Sequence, residues 1–513
     1  MMMKLRSWNK PIPNLLQRPQ RSMPLPCLFC TKSPSPLFSS TPPPTSPALL
    51  DKILTIRDPK ISVIPVLEKW VGDGRAIGKQ ELQSLVRLMK SFRRFNHALE
   101  ISRWMTDRRY FNLSSSDAAM RLDLIRIVHG LEHAEHYFNS ISSQLRTSNA
   151  YGALLCSYVR ERSVEKAEAI MQEMRNLGFA TTSFPYNVLI NLYAQVGQHH
   201  KIDLLIQEME MKGIPQDIYT VRNLSAAYVA NADISGMEKI LKRIEENSEF
   251  RADWRIYSIA ASGYLSAGLE TEALSMLKKM EEKIPPRKNK SAFEFLLSLY
   301  ERAGRKDELY RVWSTFKSTI KQIDVPYALM ITSLVKLDDI EGAERIFQEW
   351  ESKCTFYDFR VLNRLLVAYC RKGLFDKAES LVNRAVMGRT PYASTWSVLA
   401  MGYVEHGLMS KAVEMLKRAM LVGRQDWKPN QDILEACLNY LEEQGDAETM
   451  EEMIRLCRSS GSITKEMYYR SLRTSIAGGK PVLSILNQME MDGFCADEEV
   501  HKILGTKPSY SDW

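Results

Sequence analysis

Between Ser183 and Asp217 the chain reads SFPYNVLINLYAQVGQHHKIDLLIQEMEMKGIPQD, and its apolar positions fall at helical intervals. Tyr186, Leu189, Ile190 and Tyr193 recur at i, i+3, i+4 and i+7, one stripe of an amphipathic helix. Gly197 then punctuates the chain as a turn. Ile202, Leu205, Ile206 and Met209 repeat the spacing until Gly213 and Pro215 stop the second helix. The pattern predicts a hairpin of two short helices. Neither stripe is buried by the hairpin alone, so such hairpins must stack on neighbours of the same kind.

Those neighbours are marked by glycines in one register: Gly197, Gly268, Gly304, Gly373, Gly407 and Gly445, separated by 71, 36, 69, 34 and 38 residues. Each gap is one or two multiples of about 35, the period of a helical repeat. Laid along the chain, the template places units at about 79–114, 115–147, 148–182, 183–217, 218–253, 254–289, 290–323, 324–358, 359–392, 393–430, 431–462 and 463–497. The copies at 183, 254, 359 and 393 fit best. Those at 218 and 324 carry Ala232 and Asp338 where the turn glycine belongs, and the first two and the last are irregular, as terminal capping repeats are. The expected fold is all-α, a solenoid of about eleven or twelve helix-turn-helix hairpins over 79–497, with function along its concave face. A leader at 1–50 and a linker with an N-terminal cap at 51–78 precede it, and a tail at 498–513 follows.

Composition changes the picture at the N-terminus. The first fifty residues contain no Asp or Glu, but carry Lys4, Arg6, Lys10, Arg18, Arg21 and Lys32, seven serines and eleven of the 22 prolines. This acid-free bias is that of an organelle transit peptide; the rival reading is a Pro-rich tail. The whole chain carries +8, of which the leader supplies six, leaving only +2 on the rest. Any hold on nucleic acid must therefore come from local placement of charge and not from bulk attraction. No apolar run reaches the length of a membrane-spanning helix, so no membrane insertion is expected. Cys27 and Cys30 form the one Cys-x-x-Cys pair and lie in the leader; Cys156, Cys354, Cys370, Cys437, Cys457 and Cys495 are scattered, as reduced buried thiols are.

Candidate chemistry is sparse. His133-Ala134-Glu135 has the His-x-Glu of a zinc deaminase, but no Cys-x-x-Cys follows it. His199-His200 has no acid or cysteine at ligand spacing, and Gly72 to Lys79 lacks the Gly-Lys-Ser/Thr of a phosphate loop. The sequence points to no cofactor, no metal and no catalytic group.

The segments YNVLINLYAQVG with MEMKGIPQD, SAFEFLLSLYERAG, LNRLLVAYCRKGLFDKAESL, and STWSVLAMGYVEHGLMSKAVEML with KPN resemble the pentatricopeptide repeat (PPR) family in its plain P class of plant organelles. The shared features are the period, an aromatic-Asn start to the first helix, Tyr shortly before the turn glycine, Lys-Ala or Glu-Ala opening the second helix, and a Pro-Asp-like close. The resemblance covers about four fifths of the chain. It implies a right-handed superhelical solenoid that reads single-stranded RNA at one base per hairpin, with no catalysis of its own. Composition and resemblance together place the protein in mitochondria, with the chloroplast as alternative.

In the family the fifth residue of a unit and its last residue read the base, and the second residue wedges between bases. Carried over, these are Asn187 with Asp217, a uracil-preferring pairing, and Phe184 as wedge; Ser258 with Asn289 and Ser397 with Asn430 are adenine-preferring. Gly152 with Thr182, Arg222 with Asp253, Glu294 with Ile323, Ala328 with Asp358 and Asn363 with Tyr392 depart from the pattern, and Glu294 and Glu435 bring carboxylates to the face that should meet phosphate. Two residues before the turn, Arg160, Arg302, Lys336 and Arg371 occupy a register that in the family lies near the RNA backbone; a helix C-terminus favours cations there in any case, through its dipole. Tyr193, Tyr264, Tyr300, Tyr369 and Tyr403 share another register and read as core between hairpins. The function expected is organellar RNA binding in stabilisation, processing, splicing or translation. The alternative is a scaffold whose groove holds protein, for instance as a component bound to the mitochondrial ribosome.

Overall fold

The computed structural model describes residues 47–56, 58, 61–109, 111–246, 253–285, 290–317, 324–423 and 427–505, and every regular element among them is helical. The leader up to residue 46 lies outside the described residues, as do Asn289 and the chain from 506 onward. First helices begin at residues 79, 115, 148, 183, 218, 254, 290, 324, 359, 393 and 431, and a further one at 465, two residues later than the spacing places it. Two helices, Pro47–Thr55 and Ile64–Gly72, come before them, and Glu498–Leu504 follows.

The chain divides into two compact units, Met1–Ile284 and Pro285–Trp513. In each, the first helix of a hairpin packs on its own second helix and on the first helix of the next hairpin. The apolar stripes meet along these helix pairs: Tyr186, Leu189, Ile190, Tyr193, Ile202, Leu205 and Met209 are all buried, as are Tyr369 and Tyr403 in the second unit. First helices approach closely where the tenth residue of a hairpin is glycine. A Cβ on Gly402 would sit 2.5 Å from that of Cys370, and one on Gly263 would sit 2.7 Å from a methyl of Val229.

The turns are more uniform than their residues. Gly197, Gly268, Gly304, Gly373, Gly407 and Gly445 all have positive φ, and Ala232 and Asp338 adopt the same left-handed conformation at φ 55° and 58°. Packing of the hairpins on either side imposes the turn on residues with a Cβ, at a cost of about 1 kcal/mol each. We expect Ala232→Gly to stabilise the first unit by roughly 0.5–1 kcal/mol, measured as a higher urea midpoint. An unchanged midpoint would mean that the turn is not strained.

Neighbouring hairpins are also locked by a recurring polar trio. Glu168 accepts from Tyr193 at 2.8 Å and Lys201 at 2.6 Å, Glu344 from Tyr369 at 2.8 Å and Lys377 at 2.9 Å, and Glu379 from Tyr403 and, at 2.7 Å, from Lys411. The carboxylate stands on the second helix of one hairpin, and both donors belong to the next. This explains the Lys-Ala-Glu motif physically: Lys377 reaches back to the preceding hairpin while Glu379 receives the following one. The tyrosines of this register are thus anchored in the core, and their hydroxyls are spent on it.

Candidate nucleic-acid interface

The last residue of a hairpin is the N-cap of the next. Asp217, Asp253, Asp358 and Asn430 each accept hydrogen bonds from the opening backbone amides of the following helix, which satisfies donors that no helical carbonyl can reach. A residue so placed is fixed in position before any ligand arrives.

In the hairpin at 183 this cap is joined to the fifth residue. Asn187 is fully buried and its Nδ2 donates to Asp217 Oδ1 at 3.0 Å. Asp217 also takes Ser183 Oγ at 2.7 Å and the amides of Tyr219 and Thr220 at 2.9 and 2.8 Å, so it acts as a positioning carboxylate. The Asn187 backbone carbonyl accepts from Asn223. What Asn187 keeps is its side-chain oxygen, which is buried and has no partner. Phe184 is half-buried, and its ring lies 2.9 Å from where a Cβ on Gly152 would stand. The second residue of one hairpin is thus seated against the fifth of the hairpin before, as a wedge register requires. The same ring fills the space that a larger fifth residue would occupy at Gly152.

The serine pairs are arranged differently. Ser258 Oγ donates to the carbonyl of Arg255 at 2.7 Å and Ser397 Oγ to that of Ala393 at 3.0 Å, so both hydroxyls are turned back on their own helices. Asn430 caps its helix through the amides of Asp432 and Ile433 at 2.8 and 3.2 Å and is not brought together with Ser397.

Other fifth residues also find partners, and Arg222 meets the closing residue with which spacing pairs it. Arg222, buried over the ring of Tyr219, lies 3.7 Å from Asp253, and Tyr469, fifth in the helix Lys465–Ala477, donates to Asp497. Asn363 reaches Ser394 at 3.3 Å instead of Tyr392, and it too keeps a buried side-chain oxygen without a partner. Glu294 is only partly exposed, its Oε1 is buried without a hydrogen bond, and Lys290 stands 3.8 Å away. Burial pushes the Glu294 carboxyl up, against the opposing pull of Lys290. Glu435 differs, being exposed and bonded to Gln431 at 3.0 Å.

The four cations of the turn register are all exposed and stand in the last turn of their helices. Arg371 makes no ion pair among the described residues, whereas Lys336 is held 3.0 Å from Glu301. Arg364 shares the helix face of Arg360 and Arg371 and went unnoticed in the sequence; burial and the neighbouring Arg360 lower its pKa. Arg360 itself is neutralised by Asp358 at 2.6 Å. Among the described residues no group of three His, Cys, Asp or Glu side chains could hold a metal ion, and Glu135 of the His-x-Glu segment is paired with Lys166 at 2.8 Å. No helix among the described residues is long and apolar enough to cross a membrane.

Comparison with known proteins adds relatives to this geometry. The PPR repeat profile matches residues 150–179, 184–214, 255–283, 325–354, 360–387 and 394–421. A mitochondrial pentatricopeptide repeat-containing protein of Arabidopsis thaliana is 39% identical over 464 residues, covering 90% of this chain and 94% of the relative. A second mitochondrial one from the same plant is 32% identical with the same coverage. The large ribosomal subunit protein mL101 of Arabidopsis thaliana is 31% identical over 87% of this chain and 91% of its own. Among solved structures, the maize pentatricopeptide repeat protein PPR10 is similar over 90% of this chain and 70% of its own, with 18% identity and a TM-score of 0.45.

Proposed function

Because this chain belongs to the pentatricopeptide repeat family, we propose that it binds single-stranded RNA in mitochondria and acts by occupying the strand, with no catalytic step of its own. The observation that carries this reading is the Asn187–Asp217 pair. A carboxamide held on a rigid helix by a capped carboxylate, with one oxygen left over, is a preorganised hydrogen-bonding group for the edge of an unstacked base. Asn187 is buried in the free protein, so entry of a base requires that the side chains covering it give way. Arg371, exposed and without an ion pair among the described residues, supplies local positive charge on the second unit. The acid-free leader, outside the described residues, supports import, as do the mitochondrial names of the relatives.

A bound superhelix would protect a transcript end, remodel RNA structure or present the strand to processing, splicing or translation machinery. The second reading is a structural component of the mitochondrial ribosome, favoured by the near full-length similarity to mL101 and by the departures from the base-reading pattern at Glu294 and Ala328. Ultraviolet crosslinking in purified plant mitochondria, followed by capture of the chain, separates the two. Our reading predicts messenger or intron RNA on the captured protein in fractions free of ribosomes. Recovery solely with large ribosomal subunits would support the second reading, and absence of the protein from mitochondria would overturn both.

A further inference from the structure

Glu294 is the fifth residue of the hairpin formed by Lys290–Arg302 and Lys306–Lys317, on a face where the pattern leads one to expect an amide or hydroxyl. It differs from Glu435, the other carboxylate of that register, in being partly covered and in having an oxygen without a hydrogen bond. Ile323, the unit's last residue by spacing, lies outside the described residues. Val325, the second residue of the next hairpin and 59% exposed, occupies the register in which Phe184 meets Gly152. The place thus offers a partly covered carboxylate whose Oε1 has no hydrogen bond, with the Lys290 ammonium 3.8 Å away.

We propose that Glu294 selects guanine. This rests on the reading that the chain binds single-stranded RNA. An ionised carboxylate accepts hydrogen bonds and donates none. Guanine is the one RNA base whose Watson–Crick edge presents two adjacent donors, the ring N1–H and the exocyclic N2–H, to a pair of such oxygens. Adenine and cytosine each set one amino donor beside a ring acceptor, and uracil sets one N–H between two carbonyl oxygens, so each would turn a lone pair against the carboxylate. Two N–H groups from guanine would also relieve the desolvation that raises the Glu294 carboxyl. The carboxylate at this position is then a reading group and not a misplaced charge.

Selection from a random single-stranded RNA pool with the full chain tests this against Glu294→Gln and Glu294→Ala. The parent should enrich a motif with one position held as guanine by about 5- to 150-fold over the other bases, the discrimination of a bidentate contact. Glu294→Gln, which keeps the size and replaces one acceptor by a donor, should convert that position to adenine. Glu294→Ala should level it, and both variants should leave the other positions unchanged. Variants that enrich the parental motif in full would overturn the assignment to Glu294 while leaving RNA binding intact. A parent chain that captures no RNA would overturn the RNA reading itself.

Discussion

Replacing Glu208 with Ala should cost about 2–3 kcal/mol and loosen the junction of the hairpins at 148 and 183 while the second unit stays folded. Glu208 accepts from Nε and Nη2 of Arg175 at 2.8 Å, from the hydroxyl of the buried Tyr186 at 3.0 Å and from Lys212 at 2.7 Å. Arg175 is on the preceding hairpin, so the carboxylate joins two units through charge-assisted bonds in a partly covered place, where they are stronger than at an open surface. Alanine leaves the Tyr186 hydroxyl with only the long contact to the Ala180 carbonyl at 3.5 Å and takes the carboxylate from the Arg175 guanidinium. In a repeat array the loss is local, so the readout is hydrogen exchange resolved along the chain: faster exchange in 164–211 and none in 359–422. The same group sets an acid limit. Burial alone would raise its carboxyl, but Arg175, Lys212 and Tyr186 outweigh burial and hold it at about 2, below its ordinary 4.5. Because the folded value is depressed, this contribution is fully present above the ordinary value and is lost as pH falls from 4.5 toward 2. Glu208→Ala should remove that part of the pH dependence. An unchanged exchange pattern and acid profile would show that the cluster contributes nothing net.

The second large effect separates base reading from phosphate binding. Replacing Asn187 and Asp217 by Ala should reduce affinity for a uracil-containing matched strand by roughly 1–3 kcal/mol more than for an unmatched one. Part of the loss comes from the cap, since Asp217→Ala also frees the amides of Tyr219 and Thr220, so Asn187→Ala alone is the cleaner comparison. Changing Arg302 and Arg371 to Ala should weaken all strands alike and lower the salt slope by about 0.7 for each phosphate that is no longer neutralised. Lys336→Ala should do less than Arg371→Ala, because Glu301 already engages that ammonium. Equal binding of the Asn187 variant and the parent to every strand would remove the base-reading role.

The fold was legible because a helical hairpin must bury two stripes, and the period of those stripes survives wherever the turn glycine does not. Ala232 and Asp338 broke the glycine register without breaking the turn, since φ there is set by packing and not by the residue alone. The site was less legible. Asp217, Asp253 and Asn430 are the residue types that a helix N-cap requires, so their presence at the close of a unit signals capping as readily as base reading. Whether the fifth residue is then available depends on its own geometry: Asn187 reaches its cap, whereas the Ser258 and Ser397 hydroxyls bond to their own helices. Arg364 was missed because its register is not that of the turn cations, and only its place on the face of Arg371 draws attention to it.

The most direct test of the central claim is the binding of the full chain to a labelled random single-stranded RNA, followed by fluorescence anisotropy across a salt series, with the same RNA annealed to its complement as control. We expect saturable binding to the single strand, weaker binding to the duplex whose base edges are paired, and a shallow salt slope in keeping with few neutralised phosphates. Equal binding to both forms with a steep slope, or no binding to either, would contradict the claim.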